Sequence, residues 1–157
     1  MSKRIKGHLS AKGLRIGIVV SRFNSEITAG LLRGAMRALI ASEASENDIT
    51  TIEVPGAFEI PFALDRLAES KKYDALIALG CVIKGETAHF EYISGAAIQG
   101  ISRVSEAYKI PISCGVLTTY TEDQALARSG DNEENKGSEA ALTVIEMANL
   151  AKQMKDN

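Results

Sequence analysis

Leu14-Arg-Ile-Gly-Ile-Val-Val20 is a short run dominated by Ile, Val and Leu, and the residues behind it change rhythm. From Glu26 to Ile40 the apolar positions Ile27, Leu31, Ala35 and Leu39 recur every fourth residue. A brief aliphatic run reads as a buried strand, whereas a four-residue recurrence puts its members on one face of a helix. The same pair of signals then repeats along the chain. Ile49 to Val54 is a second strand, closed by Pro55-Gly56, and a helix follows from about Pro61 to Glu69 with proline in its first turn, where its missing N–H costs little. Asp74 to Gly80 is a third strand, and Phe90, Ile93, Ala97, Ile101 and Val104 mark one face of a long helix. Ile110 to Leu117 is a fourth strand. Thr121-Glu-Asp-Gln124 has the form of a capping box opening a short helix. Gly137 precedes a last helix from Ser138 to about Lys152.

Strand and helix thus alternate four times. Parallel strands need crossovers of this length, because a tight hairpin returns the chain antiparallel. The expected fold is a three-layer α/β sandwich, a four-stranded parallel sheet with helices on both faces. At 157 residues, without internal repeat or low-complexity linker, the chain reads as one domain, residues 1–157. Residues 1–12 carry no core pattern of their own and read as an N-terminal arm or an extra strand laid on a neighbour.

Composition narrows the function. Eighteen Lys and Arg against twenty Asp and Glu give a net charge of −2, and no basic block offers a nucleic-acid footprint. Cys81 and Cys114 are too few and too far apart for a zinc pattern, so no metal is expected, and free thiols fit an intracellular setting. No run approaches the roughly 18 apolar residues that span a membrane, and the basic start is followed by no signal-peptide core. The expected location is the cytoplasm.

In open parallel sheets ligands collect beyond the carboxyl ends of the strands. Four loops fall there: Ser21 to Ser25, Pro55 to Glu59, Cys81 to His89 and Thr118 to Thr121. None carries a glycine-rich dinucleotide fingerprint, a Walker loop or a flavodoxin-type Ser/Thr-Gly cluster, which disfavours dinucleotide enzymes and NTPases. Gly85-Glu86-Thr87 lies where the third helix starts. A helix N-terminus offers unpaired N–H groups and about half a positive charge, and so suits a phosphate or carboxylate. His89 follows within the first turn, with the residue type that exchanges protons near neutral pH. An isolated histidine there is more often a plain surface or interface residue, so the role needs further support.

That support is a resemblance. Ser21-Arg-Phe-Asn24, Val54-Pro-Gly-Ala-Phe-Glu-Ile-Pro61, Ala78-Leu-Gly-Cys-Val-Ile-Lys-Gly-Glu-Thr-Ala-His-Phe-Glu-Tyr92, Gly115-Val-Leu-Thr-Thr119 and Asn135-Lys-Gly137 resemble the successive motifs of the 6,7-dimethyl-8-ribityllumazine synthases, in order and at matching intervals over nearly the whole chain. One such motif is a weak sign, and five in register are a strong one. The resemblance implies a transferase of riboflavin biosynthesis that condenses 5-amino-6-(D-ribitylamino)uracil with 3,4-dihydroxy-2-butanone 4-phosphate, using neither metal nor organic cofactor. The expected strand order is the flavodoxin-like 2-1-3-4. By the same resemblance His89 carries protons and Phe23 stacks on the pyrimidine. Asn24 polarises the reacting carbonyl, or merely caps the first helix. Ala57, Phe58 and Glu59 hold the ribityl chain, and the backbone of Cys81, Val82 and Ile83 reads the uracil edge.

Glu86 and Thr87 contact phosphate, through main-chain N–H groups rather than the Glu86 carboxylate. Arg128 and Lys136 also bind phosphate and come from the neighbouring subunit, which implies a ring of five with the site at the interface. Riboflavin synthase is the candidate protein partner. Cys114 departs from the pattern, since many members carry phenylalanine there against the bound ring, so a smaller pocket floor is expected. Gly130-Asp-Asn-Glu-Glu-Asn-Lys-Gly137 departs too. Its acidic residues stand where shell-forming members carry a Gly- and Lys-containing turn, so rings without a closed shell are expected. A product-binding protein without turnover is disfavoured by His89, Arg128 and Lys136 occurring together. A phosphoacceptor receiver domain is disfavoured by Val20-Ser21 and Gly80-Cys81, where acidic residues are needed.

Overall fold

The computed structural model describes all residues, Met1–Asn157. Four parallel strands, β1 (Ile16–Ser21), β2 (Ile49–Val54), β3 (Ala75–Ile83) and β4 (Ile112–Thr119), form one sheet in the order β2-β1-β3-β4. The helices are α1 (Ser25–Ala41), α2 (Ile60–Glu69), α3 (His89–Tyr108), α4 (Glu122–Ala127) and α5 (Lys136–Lys155). This is the expected three-layer α/β sandwich with the 2-1-3-4 order.

The period-two alternation of a strand divides the core in two. Ile16, Ile18 and Val20 of β1, with Ala75, Ile77, Leu79 and Cys81 of β3, pack on the side that holds Leu31, Ala35 and Leu39 of α1 and Ala141, Val144 and Ile145 of α5. Val19, Leu76, Ala78 and Val116 pack on the opposite side with Leu64 of α2 and Ala97, Ile101 and Val104 of α3. Both faces of β1 are buried from end to end, as its unbroken aliphatic run requires.

α1 and the start of α5 meet so closely that glycine alone fits. A Cβ on Gly137 would lie 1.9 Å from the Leu31 carbonyl oxygen, and one on Gly30 would lie 2.2 Å from that of Ser129. The chain before β1 forms no strand. Asn149 of α5 donates to the carbonyls of His8 and Ser10 (2.8 and 2.9 Å), and a Cβ on the buried Gly7 would lie 2.0 Å from the Glu146 carbonyl oxygen.

Several element ends differ from the sequence reading. β3 continues three residues past Gly80, so Cys81, Val82 and Ile83 belong to a strand rather than a loop. The cause is pairing: Cys81, Val82 and Ile83 stand opposite Leu117, Thr118 and Thr119, and the Lys84 N–H extends the ladder to the Thr119 carbonyl at 2.9 Å. β4 accordingly begins and ends two residues later than expected. α5 starts at Lys136 and ends at Lys155, beyond the expected Ser138–Lys152 at both ends. The capping box is present as read, with the Thr121 hydroxyl accepting from the Gln124 N–H at 3.1 Å and the Gln124 side chain accepting from the Thr121 N–H at 3.4 Å.

Candidate active site

The carboxyl ends of β1, β2 and β3 frame a cleft of about 520 Å³, lined by Phe23, Gly56 to Glu59, Cys81 to Ile83, Gly85, Thr87, His89, Phe90 and Ile93. Each wall follows from local structure. Beyond β1 and β2 the ladder continues for two more bonds, Arg22 N–H to Val54 O (2.8 Å) and Phe23 N–H to Pro55 O (3.1 Å). Phe23 is thereby fixed while its ring stays 70% exposed. A large aromatic held open to solvent at a cleft is suited to cover a planar ligand.

Asn24 follows at φ 60°, a left-handed conformation that asparagine tolerates better than most residues. It occupies the N-cap position of α1, and its carbonyl accepts from Ile27 and Thr28, both at 3.0 Å. Its side chain does not cap. Instead the Nδ2 amide donates to the Cys81 carbonyl at 3.0 Å, which ties the first loop to the end of β3. The simple capping alternative for Asn24 is therefore incorrect, because the left-handed backbone turns the carboxamide away from α1 and toward the sheet.

Ala57–Glu59 form a single 3-10 turn between β2 and α2. Ala57 is buried beneath it, while Phe58 and Glu59 stay exposed on the cleft wall. Cys81 is 2% exposed and its thiol points into the core, where burial pushes its pKa up to about 11. It is a neutral wall at physiological pH, not a nucleophile.

α3 begins at His89, with Ala88 as its N-cap. Glu86 and Thr87, read from the sequence as helix-start residues, lie in the bend before that cap. The Thr87 hydroxyl accepts from the His89 N–H at 3.4 Å. Glu86 is exposed and does not line the cleft. His89 is exposed at the rim, on the same wall as Gly85 and Thr87.

Cys114, Arg128 and Lys136 are gathered elsewhere. They line a separate groove of about 300 Å³ along the outer edge of β4, floored by β4 and walled by the first turns of α5. Arg128 is the C-cap of α4 and one guanidinium nitrogen donates to the Gln124 carbonyl at 2.9 Å. Lys136 opens α5, pairs with Glu139 at 2.7 Å, and its N–H donates to the Arg128 carbonyl at 2.8 Å. Two cations thus share one short segment beside an exposed thiol. Within a single chain neither reaches the His89 cleft, since no residue lines both cavities.

The sequence reading passed over Asn135 although it quoted the motif containing it. Asn135 is 1% exposed. Its Oδ1 accepts from Gly137 and Ser138 (2.8 and 3.1 Å), and its Nδ2 donates to the carbonyls of Gly30 and Gly130 (3.1 and 2.8 Å). It locks the segment bearing Arg128 and Lys136 onto α1. The available signal was an Asn immediately before a helical segment, the usual N-cap pattern.

The fold is that of an α/β protein with its candidate cleft at the carboxyl edge of a parallel sheet. A family model described as 6,7-dimethyl-8-ribityllumazine synthase matches residues 13–152. A curated 6,7-dimethyl-8-ribityllumazine synthase from Desulfatibacillum aliphaticivorans is 50% identical over 155 residues, covering 99% of this chain and 100% of that protein. The chain belongs to the 6,7-dimethyl-8-ribityllumazine synthase family, and it is a transferase of riboflavin biosynthesis.

Proposed function

We propose that this chain condenses 5-amino-6-(D-ribitylamino)uracil with 3,4-dihydroxy-2-butanone 4-phosphate to 6,7-dimethyl-8-ribityllumazine, releasing phosphate and water, as the penultimate step of riboflavin biosynthesis in the cytoplasm. The observation that carries the reading is a cleft that combines an exposed aromatic, Phe23, with a histidine at its rim, His89, and a carboxylate, Glu59, on the wall between β2 and α2. In this reading Phe23 covers the pyrimidine and the backbone of Cys81, Val82 and Ile83 meets its polar edge. Asn24 keeps that edge in place through Cys81 and faces the reacting carbonyl. Ala57, Phe58 and Glu59 hold the ribityl hydroxyls.

The chemistry asks little beyond orientation and proton transfer. The amine of one substrate attacks the ketone of the other, a proton leaves carbon as phosphate departs, and the ribityl-bearing nitrogen closes the second ring. Holding both substrates in one orientation supplies several kcal/mol of the barrier, and His89 moves the protons. Thr87 and the main chain at Glu86 meet the phosphate from one side.

Arg128 and Lys136 complete the phosphate site from a second chain. Their groove on the β4 edge is separate from the cleft, and exposed Phe58, Phe62 and Tyr92 (59, 74 and 75%) give the α2–α3 side the apolar surface of an association face. A ring of five lays each β4 groove against the next cleft, and Cys114 forms part of the floor. Riboflavin synthase, which consumes the product, is the expected partner. The test is to mix both substrates with the purified protein and follow product absorbance and fluorescence. Appearance of the product signal supports the reading, and stable binding of lumazine without its formation overturns it.

A further inference from the structure

The pole opposite the cleft, at the amino ends of the strands, holds a second cavity of about 350 Å³. It spans the ends of β1, β3 and β4, with the last turns of α2 and α3 on one side and that of α5 on the other. Five cations line it, Arg15, Lys71, Lys109, Lys152 and Lys155, against a single carboxylate, Asp74. That carboxylate is already occupied: it accepts from the Arg15 N–H at 2.7 Å and from the Arg15 guanidinium at 3.4 Å. Glu69, nearby on α2, is paired with Arg66 at 2.7 Å.

Basic residues at helix C-termini have an ordinary use, which is to offset the dipole. The magnitudes decide whether that use is enough here. Three helix ends contribute about half a negative charge each, so together with Asp74 they neutralise about two and a half of the five cations. That leaves about two and a half positive charges at the mouth of one cavity, in a chain whose net charge is −2. Asp65, whose carboxylate accepts from the hydroxyl of the lining Tyr108 at 3.3 Å, reduces this by at most one. Small buried side chains lie between the cations, with Ala68 and Ala148 only 5 and 2% exposed and the half-buried Tyr73 ring beside them. A cavity of this size with a mixed apolar and polar lining and several convergent charged groups can admit a small molecule.

We propose that this polar cavity binds a small phosphorylated compound, its phosphate held by the lysines of the rim and an apolar or ring-bearing body resting against the small buried side chains. The site is independent of the proposed reaction, since none of its residues lines the His89 cleft or the β4 groove. Charge-assisted bonds from several cations to one dianion fit the recognition, and lysine serves as a point charge for phosphate.

The experiment is isothermal titration of the intact protein with adenosine 5′-monophosphate as the probe. Arms with Lys109→Gln/Lys152→Gln, with Arg128→Ala, and with Lys3→Gln/Lys6→Gln as an equal change of charge elsewhere accompany the wild type. The expected result is one binding event per chain that weakens at least about tenfold in Lys109→Gln/Lys152→Gln, and stays within about twofold in the other two variants. Turnover of the Lys109→Gln/Lys152→Gln protein should match the wild type, which shows that it is folded. Three results each overturn the proposal: no binding of the probe at about 10 mM, equal loss in Lys3→Gln/Lys6→Gln, or loss confined to Arg128→Ala.

Discussion

His89 is the first residue of α3 and opens onto the cleft beside Gly85 and Thr87, so the one imidazole of the cleft sits against the proposed phosphate cradle. His89→Ala should slow turnover by about 10²- to 10⁴-fold with the fold intact, as loss of a general acid–base group does. A wild-type rate for the purified variant across neutral pH would remove the role. Arg128 lies in the other groove and should serve only the substrate that carries a dianion. Arg128→Ala should weaken the phosphorylated ketone about ten- to a hundredfold and change the uracil substrate less than about twofold, as read by separate calorimetric titrations. Equal losses for both would refute the assignment. Asp74 shows electrostatics of a structural kind. Burial pulls its pKa up, but the hydrogen bonds from Arg15, with Lys152 and Arg15 as neighbouring charges, outweigh that and hold it below the ordinary 3.8. A depressed carboxylate pKa stabilises the fold above the unfolded value and loses that contribution as pH falls through the folded value. The melting temperatures of wild type and Asp74→Asn should therefore differ at neutral pH and converge below about pH 3.8. A gap that stays constant into acid would show that the ion is not the cause.

At the scale of elements, the segment between α4 and α5 matters more than its exposed, polar sequence suggests. Asn135 satisfies two N–H groups at the start of α5 and two carbonyls, one of them on α1, from a site that is 1% exposed. Truncation removes all four bonds and leaves the N–H groups of Gly137 and Ser138 without their side-chain acceptor. Asn135→Ala should cost about 2–4 kcal/mol in chemical denaturation, while Asn132→Ala, which removes one exposed bond to the Glu134 N–H, should cost less than about 1 kcal/mol. Similar costs for the two would mean that the Asn135 network is not what fixes the segment. Since Lys136 N–H is bonded to the Arg128 carbonyl, the same variant should also loosen the groove proposed to bind phosphate. The glycines of α1 belong to this arrangement, because a missing Cβ at Gly30 and Gly34 lets α1 come this close to the Ser129 backbone and the Asn135 side chain.

At the scale of the whole molecule, the exposed rings of Phe58, Phe62 and Tyr92 suit an association face, and the proposed sharing of the site between chains requires one. How far such association goes is a separate question. Asp131 is paired with Arg37 on α1, an exposed contact that offsets part of one of the three acidic charges of the turn. Glu133 and Glu134 remain exposed, and like charges brought close where rings meet oppose further assembly unless screened. The expected dominant species is a five-chain ring of about 84 kDa, from chains of 16.8 kDa, that does not close into a shell. Light scattering at low and physiological salt measures this, and a particle of about 1 MDa in both would show that the turn does not control assembly.

The strand order was expected only through the family resemblance, whereas the alternation of strand and helix, the helices on both faces of the sheet and the Thr121 capping box were legible in the residues. Each depends on local spacing or on a short motif, and burial of one face per helix or two per strand leaves a periodic mark in the chain. Tertiary structure decided what depends on partners far away in sequence. β3 runs on to Ile83 because β4 continues beside it, and the Asn24 amide turns to the Cys81 carbonyl because β3 ends there. His89 is separated from Arg128 and Lys136 because β4 is an edge strand, with its outer side turned away from the cleft. The cationic cavity at the opposite pole joins Arg15 to Lys155 across nearly the whole chain. No spacing rule could find it, because the parallel topology alone brings three helix ends and three strand starts to one place.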